Sequence, residues 1–163
     1  MNIIFVAMHI LGAVLGTGGA TFAEIFSIKA LRDGVVEPIE ADYLKTVYVI
    51  IRIGLILTIL SGFGFLFLYR VGGHSEFIYN VKLWAKLTVI IILTLNAILL
   101  QAHKMPFWLG GPISFVSWYT ALFLGIFRKI DAGYFTIMLW YVVALIVCIV
   151  AFRSIRKALG IKV

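Results

Sequence analysis

The chain has 163 residues, 63% of them hydrophobic and 13% charged, and a mean hydropathy of +1.12. A soluble domain carries about 25% charged and about 45–50% apolar residues, so this composition excludes an ordinary soluble domain and describes a membrane protein with almost nothing outside the bilayer. The net charge of +7 does not point to nucleic acid, because the basic residues sit at the ends of apolar runs, as membrane anchors do. The length fits one domain, here a single all-α bundle. The one cysteine, Cys148, lies inside an apolar run and has no partner for an intramolecular disulfide.

Crossing a ~30 Å hydrocarbon core takes about 20 residues. Five runs reach or approach that length: residues 2–31, 40–70, 77–104, 111–128 and 133–153. The first has no basic residue ahead of its apolar core, is too long, and lacks a convincing cleavage pattern, so it reads as a mature helix and not a signal peptide. It carries His9, followed at helical spacing by Gly12, Ala13, Gly16, Ala20 and Ala23. In the next loop Pro38, Glu40 and Asp42 read as a helix start, with carboxylates at the positive end of the dipole. Gly72 with Gly73, Pro106, and Asp131 to Gly133 punctuate the later runs. The fourth run is the shortest and is bounded by Pro106, Gly110, Gly111 and Pro112. A four-span protein with a re-entrant fourth run is the alternative. After the fifth run comes a basic tail, Arg153 to Lys162, suited to anionic headgroups.

With five spans, Lys29, Arg32, Lys45, Lys104, Arg153, Arg156, Lys157 and Lys162 fall on one side, and Arg70, Lys82, Arg128 and Lys129 on the other. The richer side is expected to be cytoplasmic. That puts the N-terminus outside and the C-terminus inside a cell (inner) membrane.

Ionisable groups within spans are costly and are functional candidates by default. Depth along each helix sorts them into two layers at ~1.5 Å per residue. His9, Lys86 and Met138 share the outer layer, with Tyr79, Trp84 and Trp140 nearby, while Arg70 and His74 follow at that end of the second run. Glu24 and Arg52 share the inner half with Asn96, and a Glu24–Arg52 pair with an amide partner is the expected way to keep both charges in lipid. His103 is interfacial and too deep on the other side to share a cofactor with His9. The three histidines lack the i, i+4 spacing of a zinc site.

His9 has two readings. In one it is a neutral histidine bonded to a carbonyl or hydroxyl of a neighbouring helix. In the other it is an axial ligand to haem iron, with Met138 or His74 as sixth ligand, Gly12 and Gly16 making room for the porphyrin, and Lys86 and Arg70 meeting its propionates. The Gly12–Gly16 spacing is equally a helix-packing motif, so the pattern alone leaves both open.

The first-helix MHILGAVLGTGG, the LSGFGFL stretch of the second and the LWAKLTVIIILTLNAIL of the third resemble the HemJ-type membrane protoporphyrinogen oxidases and the wider CopD-like set of small membrane proteins, over roughly residues 1–100. The resemblance implies bound haem b, with His9 and Lys86 at the positions of that family's functional histidine and lysine. The chain departs from it at Gly16 to Gly19, where a tryptophan is expected, and at Leu95 and Asn96, where an aromatic–histidine pair is expected.

Three functions follow as expectations. The first is a haem-binding redox protein or oxidoreductase acting on a porphyrinogen or quinone, with the chemistry supplied by the cofactor. The second is a small permease or ion-conducting bundle with a polar path through His9/Lys86 and Glu24/Arg52. Its copper version would recruit Met1, Met8, His9 and His74, and it would work as a homo-oligomer. The third is a structural membrane subunit in which His9 and the glycine strip serve packing.

Overall fold

In the computed structural model the described residues are 2–32, 34–73, 79–127 and 130–161. They form five α-helices and, among the described residues, no strand: α1 (Ile3–Ala30), α2 (Pro38–Val71), α3 (Val81–Gln101), α4 (Phe107–Ile126) and α5 (Tyr134–Ala158). Each is long and apolar enough to cross a membrane. His74 of the expected outer layer, and Met1 of the copper version, lie outside the described residues.

Local chemistry sets the helix starts. The Asn2 and Asn80 side chains accept hydrogen bonds from the backbone N–H groups of Ile4 and Lys82, at 3.0 Å and 2.9 Å, which satisfies donors that have no partner within the helix. Pro38 occupies the first turn of α2, where its missing N–H costs nothing. The Glu40 carboxylate accepts from the Glu37 backbone N–H at 3.0 Å. The carboxylates of this loop therefore serve a helix start, as read from sequence.

The fourth run differs from its expected form. Helix α4 begins at Phe107, directly after Pro106, and runs unbroken for 20 residues with Pro112 inside it. Pro112 has no N–H to donate to the Trp108 carbonyl, so the helix is weakened near its start without becoming re-entrant.

Consecutive helices run antiparallel, so residues near the N-terminus of α1 meet the C-terminal end of α2. The closest-packed pair is α1 with α2. A Cβ at Gly54 would stand 2.8 Å from the Gly12 carbonyl oxygen and 2.8 Å from the Gly16 nitrogen. Only glycine allows backbones to approach in this way, which is the small-residue mode of helix association in lipid. Helix α4 packs against α1, α3 and α5, while α5 is peripheral. The main core comprises Ala20, Ala23, Val47, Ile51, Leu55, Leu93 and Trp118. Many outward side chains, including Val14, Phe67, Phe135 and Val147, are apolar and exposed, as a hydrocarbon solvent favours.

Candidate functional site

The buried face of α1 carries every polar side chain that this helix turns inward: His9, Thr17, Thr21, Glu24 and Ser27. Near its N-terminal end the His9 Nδ1 lies 2.9 Å from the Ser61 hydroxyl, and the imidazole meets Phe65 edge-on at 5.7 Å between centroids. Lys86 of α3 is close enough to act on it electrostatically. Ser61 is fully buried, and its hydroxyl donates a hydrogen bond to the Thr58 carbonyl at 3.1 Å. His9 and Lys86 thus share a neighbourhood, as their depths predict.

Met138 and Arg70 lie at this end of the bundle but on other faces. Met138 packs into the apolar clusters of Ala85, Ile137, Val89 and Tyr141. Arg70 is exposed in the last turn of α2, where a cation suits the helix dipole.

The glycine strip is occupied. A Cβ at Gly16 would collide with the six-membered ring of Trp118, and one at Gly12 would lie 2.5 Å from the Thr58 hydroxyl and 2.8 Å from the Gly54 carbonyl. The flat group that lies on this strip is therefore an indole from α4, and the rest of the strip is covered by the α2 backbone. Gly12 and Gly16 leave no room for a porphyrin, and Met138 packs into a cluster of α3, α4 and α5. The residues present do not fit haem in the arrangement the sequence suggests.

The inner layer holds the second group of buried polar side chains, and all five helices contribute to it. Arg156 Nη2 of α5 donates to Glu24 Oε2 of α1 at 3.1 Å, and each residue is only 2% exposed. This corrects the expected pairing: Glu24 meets Arg156, while Arg52 is half-buried on the flank of α2. The depth assignment of Arg52 was sound, but its face was not. Arg52 follows buried Ile51 by one residue, a turn of about 100° around the helix, which carries it off the buried stripe. Arg156 sits near the C-terminus of α5, and helical side chains tilt toward the N-terminus of their own helix, so its guanidinium reaches back into the bundle.

Around this pair, Asn96 of α3 donates through Nδ2 to the Gly110 carbonyl of α4 at 2.8 Å. The Glu24 Oε1 lies so close over Gly111 that a Cβ there would collide with it. Tyr48 of α2 stands within electrostatic reach of both Glu24 and Arg156 and places its ring 5.9 Å from that of Phe107. Gly110 and Gly111 carry no side chains, which lets a carboxylate and an amide reach the α4 backbone there.

The hydrogen bonding at this centre is incomplete. Glu24 Oε1, Tyr48 OH, Asn96 Oδ1 and Arg156 Nε are buried without a partner, as are Thr17 Oγ1 and Trp118 Nε1 nearer mid-bundle. Buried polar atoms are normally satisfied by protein or water. Four such atoms from four helices, in or beside one charge pair, make a centre that can receive water or a small polar species. The sequence pointed to Glu24 and Asn96 here but missed Tyr48, Trp118 and Arg156. Arg156 continues the buried stripe Ile137, Tyr141, Leu145, Cys148 and Phe152, and this spacing was the available signal.

Among the described residues, no group of three or more His, Cys, Asp or Glu side chains is placed to hold a metal ion. No family model, curated protein or solved structure matches the chain.

Proposed function

We propose that the protein is a small ion- or solute-conducting membrane bundle, with the Glu24–Arg156 centre as its internal binding point. The observation that carries this reading is the set of buried, unpartnered polar atoms around that pair. Ionisable residues at membrane depth that face the bundle interior mark ion and substrate pathways. Beside them the α4 backbone is open to approach, because Gly110 and Gly111 carry no side chains. The basic residues concentrated at the Lys29, Lys104 and Arg156 end support an N-terminus outside the cell membrane, with this centre on the cytoplasmic side. Five spans without an internal repeat are fewer than an inverted-repeat transporter uses, so the working unit in this reading is a homo-oligomer. The redox alternative rests on the juxtaposition of His9 and Lys86 alone, since the room expected for haem is filled.

The test is flux into proteoliposomes for a panel of monovalent ions, protons included, and small polar solutes, wild type beside Glu24→Gln. Flux in the wild type that falls roughly tenfold in the variant, about 1.4 kcal/mol of added barrier, supports the reading. A bundle that passes nothing in the panel overturns it.

A further inference from the structure

Resting on the reading just given, we infer that the species conducted is the proton, carried along the buried face of α1 between His9 and Glu24. The two residues are separated by about 22 Å along the helix at ~1.5 Å per residue, most of a ~30 Å hydrocarbon core.

Three groups of side chains occupy that interval, and each can both accept and donate a proton. At the first end His9 meets the Ser61 hydroxyl at 2.9 Å, and Ser61 meets the Thr58 carbonyl at 3.1 Å. Mid-bundle, the Thr17 hydroxyl is buried with no partner, and Thr21 lies 3.1 Å from the Tyr119 hydroxyl. At the far end stand Glu24 and Tyr48, with one carboxylate oxygen and the phenol unpartnered.

A metal ion or organic solute needs a cleared passage and a replacement for its hydration shell. Here the bundle is closed by direct contact, with Trp118 against Gly16 and the Gly54 backbone against Gly12. A proton needs only a line of hydroxyls and single waters. Thr17 and Trp118 Nε1, both unpartnered, mark where water completes that line between the two ends. In transit each hydroxyl, carboxyl or water oxygen takes a proton on a lone pair and releases its own to the next, while the Thr58 carbonyl only accepts the Ser61 hydrogen bond and relays nothing. One proton enters at His9 for each that leaves at Glu24, and no co-reactant is consumed.

The experiment uses the whole chain in vesicles that contain a pH-reporting dye, with a potassium diffusion potential set by valinomycin, and follows sodium and chloride flux in parallel. Wild type is expected to admit protons and not the two ions. Thr17→Val keeps the shape and removes one unpartnered group. It is expected to slow proton entry roughly tenfold, about 1.4 kcal/mol of barrier, while Thr17→Ser retains it. Because the Thr17 hydroxyl makes no hydrogen bond within the protein, this variant remains informative if Glu24→Gln fails to fold. Sodium or chloride flux without proton flux overturns the inference and leaves the conducting reading standing. Proton entry indifferent to Thr17→Val also overturns the inference. Absence of all charge movement overturns both.

Discussion

Arg156, two residues from the end of α5, is the partner that Glu24 finds across the bundle, at 3.1 Å from Nη2 to Oε2. An arginine that the sequence places in a basic tail near anionic headgroups is thus buried, 2% exposed, against a carboxylate. Removing one member of a buried pair leaves the other charge uncompensated, at a cost of about 3–5 kcal/mol. Glu24→Gln and Arg156→Met should each destabilise the bundle by about that amount in unfolding titrations in detergent. The combined Glu24→Leu/Arg156→Met variant should recover most of the loss. Arg52→Gln, on the half-buried flank of α2, should fall within about 0.5 kcal/mol of wild type.

The contact of Trp118 with Gly16 admits a reciprocal test. Trp118→Ala empties the space over the glycine and should cost about 3–5 kcal/mol. Gly16→Leu drives a side chain into the indole and should cost about 1–3 kcal/mol or more. Combined, the leucine occupies the space that the indole leaves, so the double variant should be more stable than the sum of the two losses. Simple additivity in thermal unfolding would show that the two residues do not meet.

Much of this architecture was legible from periodicity and composition. The five runs, the Pro38 helix start and the assignment of His9 with Lys86 and Glu24 with Asn96 to two depths all follow from ~1.5 Å per residue and the position of turn residues. Depth is one coordinate, however, and pairing needs the rotation of each helix as well. Arg52 had the right depth and the wrong face, whereas Arg156 had the right face and a backbone position that looked interfacial. Likewise the Gly12–Gly16 spacing announces close approach without saying by what. The answer, Trp118 and the α2 backbone, comes from helices whose packing order no local pattern encodes.

Gly111 tests how the start of α4 serves the polar centre. Its missing Cβ is where the Glu24 carboxylate sits. Gly111→Ala should displace that carboxylate from Arg156 and cost about 1–3 kcal/mol by overpacking. In an Arg156→Met background the same alanine should cost less, because the geometry it disturbs is already lost. A double-mutant cycle reads that coupling directly; a coupling of zero would separate Gly111 from the ion pair.

His9 is the residue on which the redox and packing readings divide most cleanly. Its Nδ1 is engaged by Ser61, which is fully buried, so His9→Ala strands a hydroxyl that keeps only its bond to Thr58. The loss expected is about 1 kcal/mol, and Ser61→Ala should cancel part of it. The same His9→Ala protein decides the question of haem. With Gly12 and Gly16 covered, purified protein given haem should show no Soret band that depends on His9, and no sharpened α and β bands on reduction with dithionite. Such bands, present in wild type and lost in His9→Ala, would mean that a face of α1 other than the glycine strip accepts the macrocycle. In that case His9 and Lys86, rather than Glu24 and Arg156, would be the place to look for chemistry.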